Sequence, residues 1–196
     1  MSAAYSIIRK AHSKGFKFLG AGCYSAVFQS KDPDTVIKVG ADIFDPYLYY
    51  VREITSKQNK HFPKVKKLYV DNDYGYYIVY LEKLFEMQNE HLSKYQEIYD
   101  WAVKEDSKPS WADENLNEAV NTIVNLADYR SYPEIVHAKA WGTVTYDACR
   151  LDLHESNVMC RADGTFVFAD PLCNYKMYDV PEVEEWLDHE LGIAFT

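Results

Sequence analysis

Hydrophobic and polar positions along this chain change period part-way, from alternation by two to a helical repeat of about 3.6, and the change divides it into halves. The first half is strand-rich: residues 15–22, 25–30, 36–39, 64–70 and 76–81 carry β-branched or aromatic side chains between turn signals. Asp32-Pro33-Asp34 and Asp71-Asn72-Asp73 supply turns, and a helical stretch over residues 46–59 interrupts the strands. The second half opens with helices over 91–105 and 113–129, the latter followed by Pro133. It returns to strands at 157–161 and 165–169. A last amphipathic helix is predicted over 180–191, with Pro181 near its start and Gly192 just past its end. No internal repeat or low-complexity tract interrupts this order.

Composition narrows the function classes. With 196 residues, 47% of them hydrophobic, the chain can bury a core as one compact domain or two closely packed lobes. No stretch approaches the roughly 18 consecutive apolar residues of a membrane span. The start, Met1-Ser2-Ala3-Ala4-Tyr5, carries no basic-then-apolar leader, so a soluble cytoplasmic protein is expected. Cys23, Cys149, Cys160 and Cys173 lack CxxC spacing and read as reduced thiols, not as zinc ligands or a disulfide framework. A formal net charge of −9 argues against nucleic acid or an anionic membrane as partner. A phosphate ligand would need placed cations, backbone amides, or a metal held by acidic residues. The 17 tyrosines read as core and interface surface.

The segment Leu19-Gly20-Ala21-Gly22-Cys23-Tyr24-Ser25-Ala26-Val27 joins two expected strands. Its glycines would let backbone amides approach phosphate oxygens, although a plain hairpin turn also accounts for them. Lys38, set among Val36, Ile37 and Val39, is an unusual cation within an apolar strand; it either snorkels to water or meets an anion. A carboxylate orienting that lysine from the neighbouring helix would be Glu53, the only acidic residue between Asp45 and Asp71. Glu53 and Lys57 also stand at i,i+4 spacing and can form an ordinary helix pair. The segment from Arg150 to Met159, Arg-Leu-Asp-Leu-His-Glu-Ser-Asn-Val-Met, is followed by Phe168-Ala169-Asp170-Pro171. A two-residue turn at Asp163-Gly164 sets Asn157 directly opposite Asp170, with Cβ atoms about 4.5–5.5 Å apart, close enough to share a magnesium ion. Asp152 stands just before, on a loop.

In order, these pieces resemble the protein-kinase signatures G-x-G-x-x-G-x-V, V-A-I-K, H-R-D-L-x-x-x-N and D-F-G. Gly15-Phe16-Lys17-Phe18-Leu19-Gly20, Val36-Ile37-Lys38-Val39-Gly40, Asp152-Leu153-His154-Glu155-Ser156-Asn157-Val158-Met159 and Asp170-Pro171 further resemble the early serine/threonine protein kinases of short-tailed bacteriophages. The resemblance implies an α+β, bilobal, protein-kinase-like fold. Its strand-rich N-lobe would span residues 1–84 and its shortened helical C-lobe residues 85–196. ATP and Mg2+ would lie between the lobes, and protein substrates, bacterial host proteins, would receive the γ-phosphoryl group on Ser or Thr. Gly20 and Gly22, with Ser25 in the third glycine's place, would cover the phosphates. Lys38, paired with Glu53, would contact the α- and β-phosphates. Asp152 would orient the acceptor hydroxyl and take its proton, and Asn157 with Asp170 would hold magnesium. Residues 76–84 match the strand and hinge that hold adenine.

The departures carry expectations too. Arg150-Leu151 replaces the His-Arg before the catalytic aspartate, so control by phosphorylation of a loop, at Tyr175 or Tyr178, is not expected. Pro171-Leu172 replaces Phe-Gly, no A-P-E appears, and the segment after Asp170 is too short for the usual helical peptide platform. Asp-Leu-His-x-x-Asn with a following Asp also occurs in aminoglycoside and choline kinases, the enzymatic alternative. A kinase-shaped, non-catalytic inhibitor of a host protein is the alternative from another class; retention of Lys38, Asp152, Asn157 and Asp170 argues against it.

Overall fold

The computed structural model describes residues 3–22, 24–127, 138–139, 142–143 and 149–174. Cys23, the expected helix end at Tyr129, Pro133, Tyr175, Tyr178 and the helix expected over 180–191 lie outside the described residues. The fold is α+β, and the described residues group into two compact units: 3–48 with 64–83, and 49–63 with 84–174.

The first unit opens on a helix that strand patterning did not predict, α1 (Ala3–Ser13). Gly15 is its stop signal, not the start of a strand. At φ +74° it occupies the left-handed region. Its N–H donates to His12 O at 2.9 Å while Phe16 N donates to Ala11 O at 3.2 Å, the paired bonds that close a helix C-terminus. Strands β1 (Phe18–Gly22), β2 (Ser25–Gln29), β3 (Thr35–Gly40), β4 (Val65–Asp71) and β5 (Tyr76–Glu82) follow. They form one antiparallel sheet in the order β1-β2-β3-β5-β4. Helix α1 buries Ala4, Tyr5 and Ile8 in a core shared with Ala26, Phe28, Val39 and Ala41. Helix α2 (Pro46–Ile54) starts at Asp45, whose Oδ1 accepts the Tyr47 N–H at 2.9 Å, with Pro46 in the first helical position.

In the second unit a 3₁₀ turn (Asn89–His91) leads into α3 (Leu92–Lys104), and α4 (Glu114–Ala127) follows. Asp113 caps α4, its Oδ1 accepting Leu116 N–H at 2.9 Å. Leu116, Ala119, Val120, Ile123 and Leu126 form the buried stripe of α4, at the three-and-four spacing of an amphipathic helix. Short strands complete the unit: β6 (Ala138–Lys139) with β7 (Gly142–Thr143), β8 (Cys149–Leu151) with β11 (Leu172–Asn174), and β9 (Val158–Cys160) with β10 (Phe166–Phe168). No helix among the described residues is long and apolar enough to cross a membrane.

Candidate active site

Gly20, Gly22, Ser25 and Lys38 lie on one face of the first unit's sheet. Gly20 opposes Val27, which opposes Lys38; one row along, Gly22 opposes Ser25, which opposes Gly40. Opposed residues of an antiparallel pair share a face, so these positions form two parallel rows across three strands. A register irregularity between Phe18 and Gly20 makes this possible. Phe18 packs against the α1 core, and without the irregularity a residue two positions on would point the same way. The irregularity turns Gly20 and Gly22 to the other face. Neither glycine has a positive φ, and an added Cβ at either would meet nothing within 4 Å. Neither backbone strain nor protein packing therefore requires glycine there, and the space where a side chain would project is open. Ser25 is buried as the first residue of β2, not at the loop tip.

Lys38 is 5% exposed. Its Nζ stands 3.5 Å from the centre of the Tyr47 ring, a cation held against the negative face of an aromatic. Glu53, the carboxylate expected to orient it, lies in the second unit, where Oε1 is 3.2 Å from Lys57 Nζ.

In the second unit, Asp152, Asn157 and Asp170 are drawn together by backbone pairing. Leu172 opposes Leu151 in the β8–β11 ladder, and the next rung has Asp152 N donating to Pro171 O at 2.8 Å. The Asp170-Pro171 segment and the loop that carries Asp152 are thus bonded to each other directly. Asn157 Nδ2 donates to Asp152 O at 2.9 Å and to His154 Nε2 at 2.8 Å. Because that amide nitrogen can only donate, His154 Nε2 accepts, and the ring proton sits on Nδ1, 2.7 Å from Ser156 Oγ. With Nδ2 engaged in the loop, Oδ1 is the end of the amide that could serve as a ligand oxygen.

The β9–β10 hairpin differs in register from its sequence reading. Phe168 opposes Val158 and Phe166 opposes Cys160, so Asn157 falls opposite Ala169 instead of Asp170. The turn has three residues, Ala162-Asp163-Gly164, not two. Arg161 N donates to Thr165 O at 3.0 Å, Gly164 N donates to Arg161 O at 2.9 Å, and Gly164 takes φ +80°. This is the type I turn plus left-handed glycine of three-residue hairpins. Asn157 O nevertheless accepts both Ala169 N at 2.9 Å and Asp170 N at 3.2 Å, so Asn157 and Asp170 remain neighbours through a shared carbonyl.

Both edges of that hairpin are covered. Phe85 pairs with Cys160 on the β9 side, and Phe168 N donates to His61 O at 3.0 Å on the β10 side. Tyr50 Oη donates to Phe168 O at 2.5 Å, and Tyr95 Oη donates to Leu153 O, next to Asp152, at 2.6 Å. Burial pushes the Tyr95 hydroxyl up, with Glu155 and Tyr99 adding to the shift, which keeps it a donor. These tyrosines and His154 bond to the candidate site, and sequence reading did not single them out. Nothing in a local pattern marks them, because their partners stand 118 and 58 positions away for Tyr50 and Tyr95.

Among the described residues, no cluster of three His, Cys, Asp or Glu side chains could hold a metal by itself. The donor set of one amide oxygen and one carboxylate, from Asn157 and Asp170, suits magnesium, which takes few protein oxygens and completes its shell with water and phosphate. No curated protein sequence matches the chain. The family model described as bacteriophage T7 protein kinase 0.7 matches residues 5–190. That span takes in the glycine strand, Lys38, the Asp152–Asn157 segment and Asp170, and the chain is therefore a member of the bacteriophage T7 protein kinase family, a phage protein kinase.

Proposed function

We propose that this protein is an ATP- and magnesium-dependent serine/threonine protein kinase acting on bacterial host proteins. The observation that supports the reading is the bonding of Asp152 to Pro171 and of Asn157 to Asp152 and Asp170, which brings the three residues proposed for the acceptor and the metal together in one unit. Asp152 would hold the acceptor hydroxyl and take its proton as the oxygen attacks the γ-phosphorus and the bond to the ADP oxygen breaks. Asn157 Oδ1 and Asp170 would hold magnesium, which when bound neutralises charge on the β- and γ-phosphate oxygens. The uncovered backbone at Gly20 and Gly22, with Ser25 beside it, would approach the triphosphate, and Lys38 would contact its α- and β-phosphates. Glu53 is proposed as the carboxylate that supports Lys38.

The test is transfer of labelled phosphate from ATP in a bacterial lysate, comparing the intact chain with Asp152→Asn. Label on serine and threonine of host proteins, lost in the variant, is expected. Label on a small acceptor would move the protein to the small-molecule kinases, and no turnover by the intact chain would leave a binding protein.

A further inference from the structure

The buried ammonium of Lys38 lies over an aromatic ring within the first unit. Lys38 and Gly40 stand two apart on β3 and share a face, and Gly40 opposes Tyr77 on β5. The absence of a side chain at Gly40 is obligatory: a Cβ there would lie 2.0 Å from Tyr77 Cζ. The space so left admits the Tyr77 ring, which stacks on Tyr47 at 6.2 Å between centres and 29° between planes. Asp45 fixes both rings, accepting the Tyr77 hydroxyl on Oδ2 at 2.5 Å and the Tyr47 N–H on Oδ1 at 2.9 Å. The outcome is a Tyr47 ring 1% exposed, held at the helix start, with Lys38 Nζ 3.5 Å from its centre. A ring face attracts an ammonium electrostatically and does not itself neutralise the charge.

We propose that Tyr47 is a positioning residue for Lys38, its ring face serving as the platform that orients the ammonium toward nucleotide phosphate. The inference rests on the reading of Lys38 as a phosphate contact. It predicts that the aromatic face, and not the hydroxyl, is what matters at position 47.

The experiment combines NMR of the lysine side chains with ATP kinetics on the full chain and the variants Tyr47→Phe, Tyr47→Leu and Lys38→Met. Lys38→Met identifies the Lys38 methylene signals. Those nearest Nζ should be shifted upfield by the ring in the wild type and in Tyr47→Phe, and lose that shift in Tyr47→Leu. The KM for ATP should rise about tenfold in Tyr47→Leu and return to within about twofold of wild type in Tyr47→Phe, with the KM for the protein substrate unchanged. Unshifted Lys38 signals in the wild type overturn the proposal even if Tyr47→Leu does not fold. A defect in Lys38→Met alongside wild-type ATP kinetics in Tyr47→Leu overturns the platform alone. Wild-type ATP affinity in Lys38→Met overturns the phosphate role of Lys38 itself, and the platform with it.

Discussion

Asn157 is bonded to Asp152 through one end of its side-chain amide, Nδ2 donating to the Asp152 carbonyl at 2.9 Å, while the oxygen at the other end is the proposed magnesium ligand. Asn157→Asp separates the two tasks. A carboxylate keeps a ligand oxygen but donates nothing, so the bonds to Asp152 O and His154 Nε2 are both lost. Each net hydrogen bond contributes about 0.5–1.5 kcal/mol, so turnover should fall by about tenfold or more. Magnesium dependence should persist. Single-turnover phosphate transfer across a magnesium titration is the measurement, and wild-type turnover in Asn157→Asp would show that the amide donor does not organise the loop.

Asp152 and Asp170 should separate by assay although their backbones are joined through Pro171. Asp152→Asn should hold nucleotide affinity within a few-fold while turnover drops by roughly a hundredfold or more, as for loss of a catalytic base. Asp170→Asn should forfeit most of the thermal stabilisation that magnesium-ATP gives the wild type, because a ligand bound only by the folded state shifts unfolding by mass action. Thermal melts with and without magnesium-ATP decide the second point. Equal shifts in the variant and the wild type would remove Asp170 from the metal site.

The strands of the first unit are legible in the sequence because β-branched and aromatic residues gather between turn residues; β5 alone alternates cleanly between buried and half-buried positions. Helix α1 is not, because Gly15 stops a helix and precedes a strand, and only its positive φ separates the two roles. At the β9–β10 hairpin, Asp163-Gly164 fits a two-residue turn as well as the end of a three-residue loop; the wrong choice moves every partner by one position. The candidate residues Asp152, Asn157 and Asp170 were nonetheless legible as a group, since a motif survives a register error. Strands β8 and β11 have three residues each, too few to show a period. The tyrosine clamps and the Tyr47 platform depend on partners distant in sequence or on a ring's placement, which composition alone reads only as core.

His61 gives the second unit a pH dependence with a definite sign. Its Nδ1 donates to Phe166 O at 2.8 Å, while Nε2 is buried 3.7 Å from Asp113 Oδ1, too far for a hydrogen bond. Burial holds the imidazole below its ordinary pKa, against the opposing pull of the Phe166 carbonyl and Asp113 and with a further push from Lys60. The unfolded chain therefore binds the proton first. Stability is fully present above the unfolded value of about 6.5 and is lost as pH falls through the lower folded value. Asp113, held below the usual carboxylate range chiefly by the Lys60 ammonium, adds a loss only at more acid pH. Denaturant melts without nucleotide at about pH 7.5 and about pH 5.5 should show a drop in the wild type. The drop should be smaller in His61→Asn, which keeps a neutral donor for Phe166 O. An equal drop in both proteins would assign the acid sensitivity elsewhere.

The glycines separate structure from function most directly. Gly15 sits at φ +74° with nothing within 4 Å of an added Cβ, so Gly15→Ala is penalised by backbone conformation alone. The cost is about 1–2 kcal/mol, visible as a lower melting temperature with unchanged KM for ATP. Gly20 has the same open surroundings but no positive φ. Gly20→Ala should therefore leave stability unchanged or raise it slightly, since alanine lowers the entropy of the unfolded chain. Its methyl group would nonetheless project over the face that carries Lys38, where the triphosphate is proposed to approach the amides, and the KM for ATP should rise several-fold. Melting temperature and ATP kinetics on the same preparations make the comparison. If Gly20→Ala melts and binds ATP like the wild type, the glycine strand is an ordinary sheet edge and the phosphates are held elsewhere.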